Sequence, residues 1–191
     1  KGYLIKEYFA NYFLHTSNVT FHMDEDNRME IHERKSEPWK VTLVDTGELT
    51  NTGGRLSRIS NYLKEDLFCL TYGDGLSNVN IKKLISHHKK SGLQATLTAV
   101  QPPGRFGALD INQDKVSNFM EKPNGDNSWI NGGYFVVNSD VIRMIKNDDY
   151  SWEHDILTKL AQANKLSAYV HNGFWQPMDT LRDQRLLEKL W

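Results

Sequence analysis

The chain has 191 residues, of which 39% are hydrophobic and 25% charged, and its formal net charge is −1. This composition is typical of a globular domain with a substantial core, so we expect a single domain over residues 1–191. The near-neutral charge argues against nucleic acid as a partner, because its recognition needs a strongly basic face, and the apolar runs are too short to span a membrane.

An amphipathic helix is predicted at the start of the chain, where apolar side chains recur at helical spacing. Lys1 is not a methionine, and nothing precedes this helix for it to pack against, so we expect a fragment whose N-terminal part is missing. A short strand is predicted at 19–22, followed by a charged, irregular and exposed excursion at 23–39 and a strand at 41–44.

The rest of the chain alternates helices and strands. A loop rich in Thr, Gly and Asn leads to a helix that is predicted to open at Arg55, and a strand follows at 67–71. The remaining predicted elements are strands at 95–100, 108–111, 116–120, 130–137 and 166–170 and helices at 80–90, 139–145, 152–164 and 181–191. This alternation favours an α/β fold, a three-layer sandwich with a mixed, mostly parallel central sheet.

Two acidic residues at the ends of apolar stretches are the main functional candidates. Asp74 lies in TYGDG directly after the predicted strand at 67–71, and Asp179 lies in WQPMDT. Open α/β sheets bind ligands at the carboxyl ends of their strands, and two carboxylates there could clamp Mg²⁺ against a phosphate. The alternatives are a turn aspartate for Asp74 and a helix N-cap for Asp179.

Three further segments offer ligand contacts. The PPGRFG segment, ending at Gly107, lets a ligand approach the backbone or is simply a corner between strands. Glu121 and Lys122 at a strand end suit a sugar hydroxyl and a phosphate, or they form a solvated surface pair. Asn131 and Gly132 suit a polyol ligand, or they form a structural bulge.

A glycine pair and a single cysteine complete the candidates. Gly53 and Gly54, just before Arg55, could gather backbone N–H groups and a guanidinium around an anion, with a flexible loop as the alternative. Cys69 lies in an apolar run, which predicts a buried free thiol and a reducing cytoplasm. No histidine spacing resembles a zinc site, and no serine or cysteine lies in a nucleophile elbow.

Taken in order, the segments TYGDG, PPGRFG, EKP, NGG and WQPMDTLRD resemble the sugar-phosphate nucleotidylyltransferase family, and the resemblance spans the whole chain. Single segments such as EKP are unspecific, but the five in this order are highly specific. The resemblance implies a nucleotide-diphospho-sugar transferase-like fold and an enzyme that moves a nucleotidyl group from a nucleoside triphosphate to a sugar 1-phosphate. The MDTLRD and TGGRL segments favour the cytidylyl branch, which implies CTP and glucose 1-phosphate as substrates.

The resemblance also implies roles for single residues. Asp74 and Asp179 would be the Mg²⁺ ligands, and Lys122 would hold the sugar phosphate as a third catalytic residue. The predicted substrate-binding residues are Thr52, Arg55, Gly73, Gly107, Glu121, Asn131 and Gly132. A homo-oligomer is expected, as is a cytoplasmic role that feeds CDP-glucose into deoxysugar and cell-surface polysaccharide synthesis.

The chain departs from the family pattern in two ways. The family's N-terminal phosphate loop, Gly-Gly-x-Gly-Thr-Arg, should come before Lys1 and is absent, so we expect the chain alone to be inactive. Pro177 stands where thymidylyl relatives carry a tryptophan, which weakens any transfer of their sugar contacts. The alternatives are the use of UTP or dTTP, a metal-dependent glycosyltransferase, and a paralogue that binds a sugar nucleotide without turnover.

Overall fold

The computed structural model describes residues 1–24, 28–33, 37–102, 108–120 and 128–190, with the backbone alone at 108–111. The chain divides into two compact units, Lys1–Gly47 and Glu48–Trp191. The expectation of a single domain over the whole chain stays a prediction.

The first unit contains two short helices and a hairpin. Helices α1 (Gly2–Ala10) and α2 (Tyr12–Thr16) agree with the predicted amphipathic helix, although the chain breaks it at Asn11. Strands β1 (Asn18–His22) and β2 (Arg28–His32) pair in antiparallel fashion. No residue of either helix is buried.

Two sequence predictions are wrong in this unit. Residues 23–39 are predicted to be irregular, but β2 lies within them, because a charged strand can pair with a neighbour without an apolar pattern in its sequence. Residues 41–44 are predicted to form a strand but are irregular in the structure. Their β-branched side chains favour a strand only where a partner strand is available to pair with them.

A four-stranded sheet forms the centre of the second unit. Its order is β3 (Leu67–Thr71), β8 (Ile130–Asn138), β5 (Ala95–Val100) and β9 (Leu166–Val170). β8 runs antiparallel to both β3 and β5, whereas β5 and β9 are parallel. Three of the four strands therefore run in one direction, and the mixed sheet that the sequence predicts is confirmed.

Helices cover this sheet on both faces. Phe135 and Val137 of β8 belong to a buried cluster with Leu56, on the face covered by α3 and the turn that precedes α5. On the other face α4 packs over β5, β8 and β9, and the imidazole of its buried His88 bonds to the hydroxyl of Thr96 at 2.9 Å. Within the described ranges, the helical segments of this unit are α3 (Thr52–Arg58), 3-10 turns at Ser60–Tyr62 and Ser139–Met144, α4 (Ile81–Ser91), a π-helical turn at Trp152–Leu157, α5 (Thr158–Gln162) and α6 (Leu181–Leu190).

Several of these helical segments differ from the sequence prediction, among them α3 and the segment at 139–144. Helix α3 begins at Thr52 instead of Arg55, because the side chain of Asn51 accepts a hydrogen bond from the Thr52 amide and caps the helix earlier. The segment predicted as a helix at 139–145 is a 3-10 turn.

Two further sheets of two strands each lie in the described part of this unit. Strands β6 (Ala108–Asn112) and β7 (Lys115–Met120) form the hairpin that the sequence predicts. Strands β4 (Gly75–Ser77) and β10 (Trp175–Pro177) pair in antiparallel fashion and were not predicted. They bring together two segments that lie about a hundred residues apart in the sequence, and so they position the candidate site.

The prediction of a buried cysteine is wrong. Cys69 is exposed. It lies opposite Val136 on β3, at the edge of the sheet, whereas α4 packs over β5, β8 and β9. None of the helices in the described ranges is long and apolar enough to cross a membrane.

Candidate active site

The β4–β10 ladder places the two candidate acidic residues side by side in the backbone. Gly75 is the partner of Pro177, and just beyond this pair the amide of Met178 donates to the carbonyl oxygen of Asp74 at 2.7 Å. Asp179 follows Met178 directly, so it is one residue along the chain from the position that lies opposite Asp74. In this sense the two acidic positions are one residue apart in the register. Both residues are exposed, and a ligand can reach this end of the ladder.

The chemistry of this pair suits Mg²⁺. Asp74 and Asp179 each offer a carboxylate, and Mg²⁺ is commonly held by one or two carboxylates while substrate phosphates and water fill its other positions. No group of three or more His, Cys, Asp and Glu side chains that could hold a metal occurs in the described part of the chain. The donor set therefore fits a cation that is bound together with a phosphate better than it fits a closed structural metal site.

The residues after Asp179 form a capping motif that fixes the start of α6. The side chain of Asp183 accepts hydrogen bonds from the amide of Thr180 at 3.0 Å and from its hydroxyl at 2.8 Å, and the Asp183 amide donates to that hydroxyl at 3.2 Å. The buried amide of Gln176 on β10 also donates to Asp183, at 3.2 Å. Asp179 is thus held between a paired strand and a capped helix.

A second hydrogen-bond network lies beside Asp74. The phenol of Tyr72 donates to one carboxylate oxygen of Glu153 at 2.5 Å, and the hydroxyls of Thr52 and Ser151 donate to the other at 2.8 and 3.0 Å. Burial, together with this bond to Glu153, raises the pKa of Tyr72 well above its usual value, and the charge of Asp74 acts in the same direction. The loop that carries Asp74 therefore lies within electrostatic reach of this network.

Asn131 extends the network to the first residues of β8. Its side-chain amide donates to the Tyr72 oxygen at 3.2 Å, and its side-chain oxygen accepts from the Gly133 amide at 2.9 Å. The neighbouring carbonyl of Gly132 accepts from the indole of Trp175 on β10 at 2.8 Å. The predicted pair Asn131 and Gly132 therefore lies next to the β4–β10 ladder.

The glycine pair at the start of α3 is explained by close packing. A Cβ atom on Gly53 would lie 2.7 Å from the carbonyl oxygen of Tyr150, and one on Gly54 would lie 2.5 Å from that of Asp148. The Gly54 amide itself donates to the Tyr150 carbonyl at 3.2 Å, so it is directed at protein backbone. These contacts favour a packing role for the pair over the anion site that the sequence suggested.

Two other predicted residues, Arg55 and Gly73, lie in the described part of the chain. Arg55 donates to the carbonyl of Glu48 at 3.1 Å, and Gly73 lies in the turn before Asp74, where an added Cβ atom would meet nothing within 4 Å. The described network brings together Thr52, Asn131 and the loop of Asp74, while Arg55 is directed toward Glu48. Gly107, Glu121 and Lys122 lie outside the described residues.

Sequence reasoning missed four residues that support the site. They are Tyr72, Glu153, Gln176 and Asp183. A signal was present for Asp183, because Thr180-Leu-Arg-Asp183 has the spacing of a capping box. Glu153 had no such signal, since a single glutamate in an amphipathic stretch is usually a surface residue.

Comparison with known proteins gives a consistent result. The family model for nucleotidyl transferase matches residues 5–183. The glucose-1-phosphate cytidylyltransferases of Salmonella typhimurium and Salmonella typhi are each 60% identical over 192 aligned residues, which cover 100% of this chain and 74% of theirs. The crystal structure of HddC from Yersinia pseudotuberculosis shares the fold, with a TM-score of 0.55 and 24% identity over 75% of this chain and 64% of that one. This chain belongs to the nucleotidyl transferase family.

Proposed function

We propose that the protein transfers a cytidylyl group from CTP to α-D-glucose 1-phosphate and releases CDP-glucose and pyrophosphate. The observation that carries this proposal is the β4–β10 ladder, which sets Asp74 and Asp179 one residue apart in the register at an exposed edge. The 60% identity to two glucose-1-phosphate cytidylyltransferases supports the choice of CTP and glucose 1-phosphate.

The reaction needs no nucleophilic side chain. A phosphomonoester has a second pKa near 6, so the phosphate oxygen of glucose 1-phosphate is largely deprotonated at neutral pH. This oxygen attacks the α-phosphorus of CTP, the bond from that phosphorus to the bridging oxygen breaks, and pyrophosphate leaves. The protein has to align two anions and offset their mutual repulsion.

Asp74 and Asp179 would hold Mg²⁺ through their carboxylates. Bound Mg²⁺ supplies positive charge that offsets the repulsion between the two phosphate groups. Lys122 would bind the phosphate of the acceptor sugar through its ammonium group.

The remaining predicted contacts belong to the same proposal. Glu121 and Gly107 would lie against the sugar, as would Asn131 and Gly132 beside the ladder. Asn131 makes one hydrogen bond through its amide nitrogen and one through its oxygen, and each atom has the capacity for a second bond to a sugar hydroxyl. The other proposed substrate contacts are Thr52, Arg55 and Gly73.

The hydroxyl of Thr52 already donates to Glu153 and accepts from the Trp152 amide at 2.9 Å. A substrate contact from Thr52 would therefore use the remaining lone pair of this hydroxyl or its methyl group.

The test is a substrate panel on the intact protein. CTP, UTP, dTTP and ATP are each mixed with glucose 1-phosphate and Mg²⁺, and pyrophosphate release is followed together with the sugar nucleotide formed. We expect CTP to give the highest kcat/KM and CDP-glucose as the product.

Two controls make the panel decisive. Omitting glucose 1-phosphate identifies simple hydrolysis of the triphosphate, and the Asp179→Asn variant reports turnover that does not depend on the proposed site. A preference for UTP or dTTP would contradict the cytidylyl assignment. No pyrophosphate release with any nucleotide would contradict the proposed reaction itself.

The cellular setting is part of this proposal. We place the reaction in the cytoplasm, where CDP-glucose would feed deoxysugar and cell-surface polysaccharide synthesis, and we expect the protein to act as a homo-oligomer. Light scattering coupled to size-exclusion chromatography of the intact protein tests the oligomer.

A further inference from the structure

Glu153 is a partly buried carboxylate to which the proposed reaction assigns no role. It lies in the π-helical turn at Trp152–Leu157, next to the buried side chain of Trp152. Three hydroxyl groups from three separate segments donate to its two oxygens, namely those of Tyr72, Thr52 and Ser151. Through these hydrogen bonds the carboxylate joins three parts of the fold: the segment after β3 (Tyr72), the start of α3 (Thr52) and the turn before α5 (Ser151).

Tyr72 is held tightly between this carboxylate and the sheet. Its ring packs edge-on against Phe135 with a centroid separation of 5.5 Å, and its amide donates to the carbonyl of Gly133 at 3.1 Å. Gly133 has a φ of 77°, and a Cβ atom there would lie 2.7 Å from the Tyr72 ring. This position therefore requires glycine for its backbone angle and for the space that the ring occupies.

The network reaches the proposed site in two directions. Tyr72 is two residues before Asp74, and the carbonyl of Asp74 is in turn bonded to Met178. The Tyr72 oxygen also accepts from the Asn131 amide. Since the phenol hydrogen is directed at Glu153, the oxygen lone pair is left to receive Asn131, and the orientation of that amide depends on the carboxylate.

We propose that Glu153 is a positioning residue, which holds Tyr72 and through it the loop of Asp74 and the side chain of Asn131. This inference rests on the proposed function, because it deepens the description of the same site. An ionised glutamate accepts at both oxygens, which all three donors require. A glutamine of the same shape would place an N–H₂ group against at least one hydroxyl, and that hydroxyl would have to turn away.

The experiment compares wild type with Glu153→Gln and Tyr72→Phe, both in the intact protein. We expect each change to raise the Mg²⁺ concentration for half-maximal rate about tenfold and to weaken Mn²⁺ binding, followed by EPR without turnover, by about the same factor. The KM for CTP should stay within about twofold. The effects of the two changes should be less than additive in the double variant, because both changes act on the Tyr72–Glu153 contact.

A matched control separates positioning from loss of folded protein. Glu65→Gln removes the same charge at an exposed position between the Ser60–Tyr62 turn and β3, and it should leave both metal titrations unchanged. Tyr72→Phe removes a single oxygen atom, so it keeps the test valid if Glu153→Gln folds poorly. Metal titrations of both variants that match wild type would overturn the inference, even if turnover falls.

The two proposals fail in distinguishable ways. Wild-type protein that forms no CDP-glucose would overturn the proposed function, while the Mn²⁺ titration, which needs no turnover, would still decide the role of Glu153. Normal turnover in wild type together with unchanged metal binding in both variants would overturn the role of Glu153 alone.

Discussion

The amide of Gln176 donates to the carboxylate of Asp183 at 3.2 Å, and this bond ties strand β10 to the first turn of α6. Both side chains are buried, with 7% and 9% of their surface exposed. The same carboxylate accepts from the amide and hydroxyl of Thr180. Asp179, the proposed metal ligand, lies between the end of β10 and this cap. Its backbone is therefore fixed on both sides.

We therefore predict that Asp183→Ala destabilises the protein and also lowers its activity. The buried Gln176 amide keeps its bond to the Pro177 carbonyl but loses the one to Asp183, and an unpaired buried N–H costs about 1–3 kcal/mol of the free energy of unfolding. Urea denaturation measures this loss. The control is Glu188→Ala on the same helix, which removes an exposed bond to Gln184 and should change the unfolding free energy by about 0.5 kcal/mol or less. Equal effects of the two changes would contradict a structural role for Asp183.

Asp179→Asn should separate catalysis from folding. The residue is exposed, so the fold should be retained, while turnover should fall at least about a hundredfold, the scale expected for losing one electrostatic stabiliser of the transition state. Steady-state pyrophosphate release measures the loss, and circular dichroism checks the fold. Asp114→Asn, in the turn between β6 and β7, is a control of the same chemistry that should retain wild-type turnover. Near-normal turnover of Asp179→Asn would remove this residue from the metal site.

The central strands were the predictable part of the fold. Leu67–Thr71, Ala95–Val100 and Leu166–Val170 were predicted at their observed bounds, because each is a compact run with apolar or β-branched side chains between loop residues. The two acidic positions were singled out for a related reason, since each follows an apolar stretch, and their role stays a prediction. For the three strands, information that is local in the sequence was sufficient.

Features that depend on distant partners were not predictable in this way. Strands β4 and β10 are three residues long and contain Gly75 and Pro177, which argue against a strand when the segments are read alone. They exist because each supplies the other's pairing partner. The role of Glu153 likewise arises from three hydroxyls that only the folded chain brings to it.

Gly54→Ala is predicted to destabilise the second unit. The added methyl group would lie 2.5 Å from the backbone oxygen of Asp148, and backbone cannot move aside as a flexible side chain can. We expect a loss of about 1–3 kcal/mol in the free energy of unfolding, the usual range for overpacking a tight contact. Gly2→Ala is the matched control, because nothing lies within 4 Å of a Cβ atom at that position. If Gly54→Ala unfolds at the same midpoint as wild type, then α3 and the 148–152 segment can move apart at little cost in free energy.

The ionisation of Glu153 predicts a contribution to stability that depends on pH. Burial acts to raise the pKa of Glu153, but hydrogen bonds from Tyr72 and Thr52, from backbone N–H and from Ser151 together outweigh it, and the pKa lies below its ordinary value of 4.5. In the unfolded chain the carboxyl group binds a proton more readily, so the contribution is fully present above pH 4.5 and is lost as the pH falls through the folded-state pKa.

The test of this prediction is a series of urea denaturations of wild type and Glu153→Gln, from neutral pH to pH values below 4.5. Glutamine does not titrate, so the variant should lose stability less steeply than wild type below pH 4.5, and the two curves should approach each other there. The Glu65→Gln variant should follow the wild-type curve. Parallel curves for wild type and Glu153→Gln would mean that Glu153 has the same pKa in the folded and unfolded chain, in which case its three hydroxyl donors do not favour the ionised form.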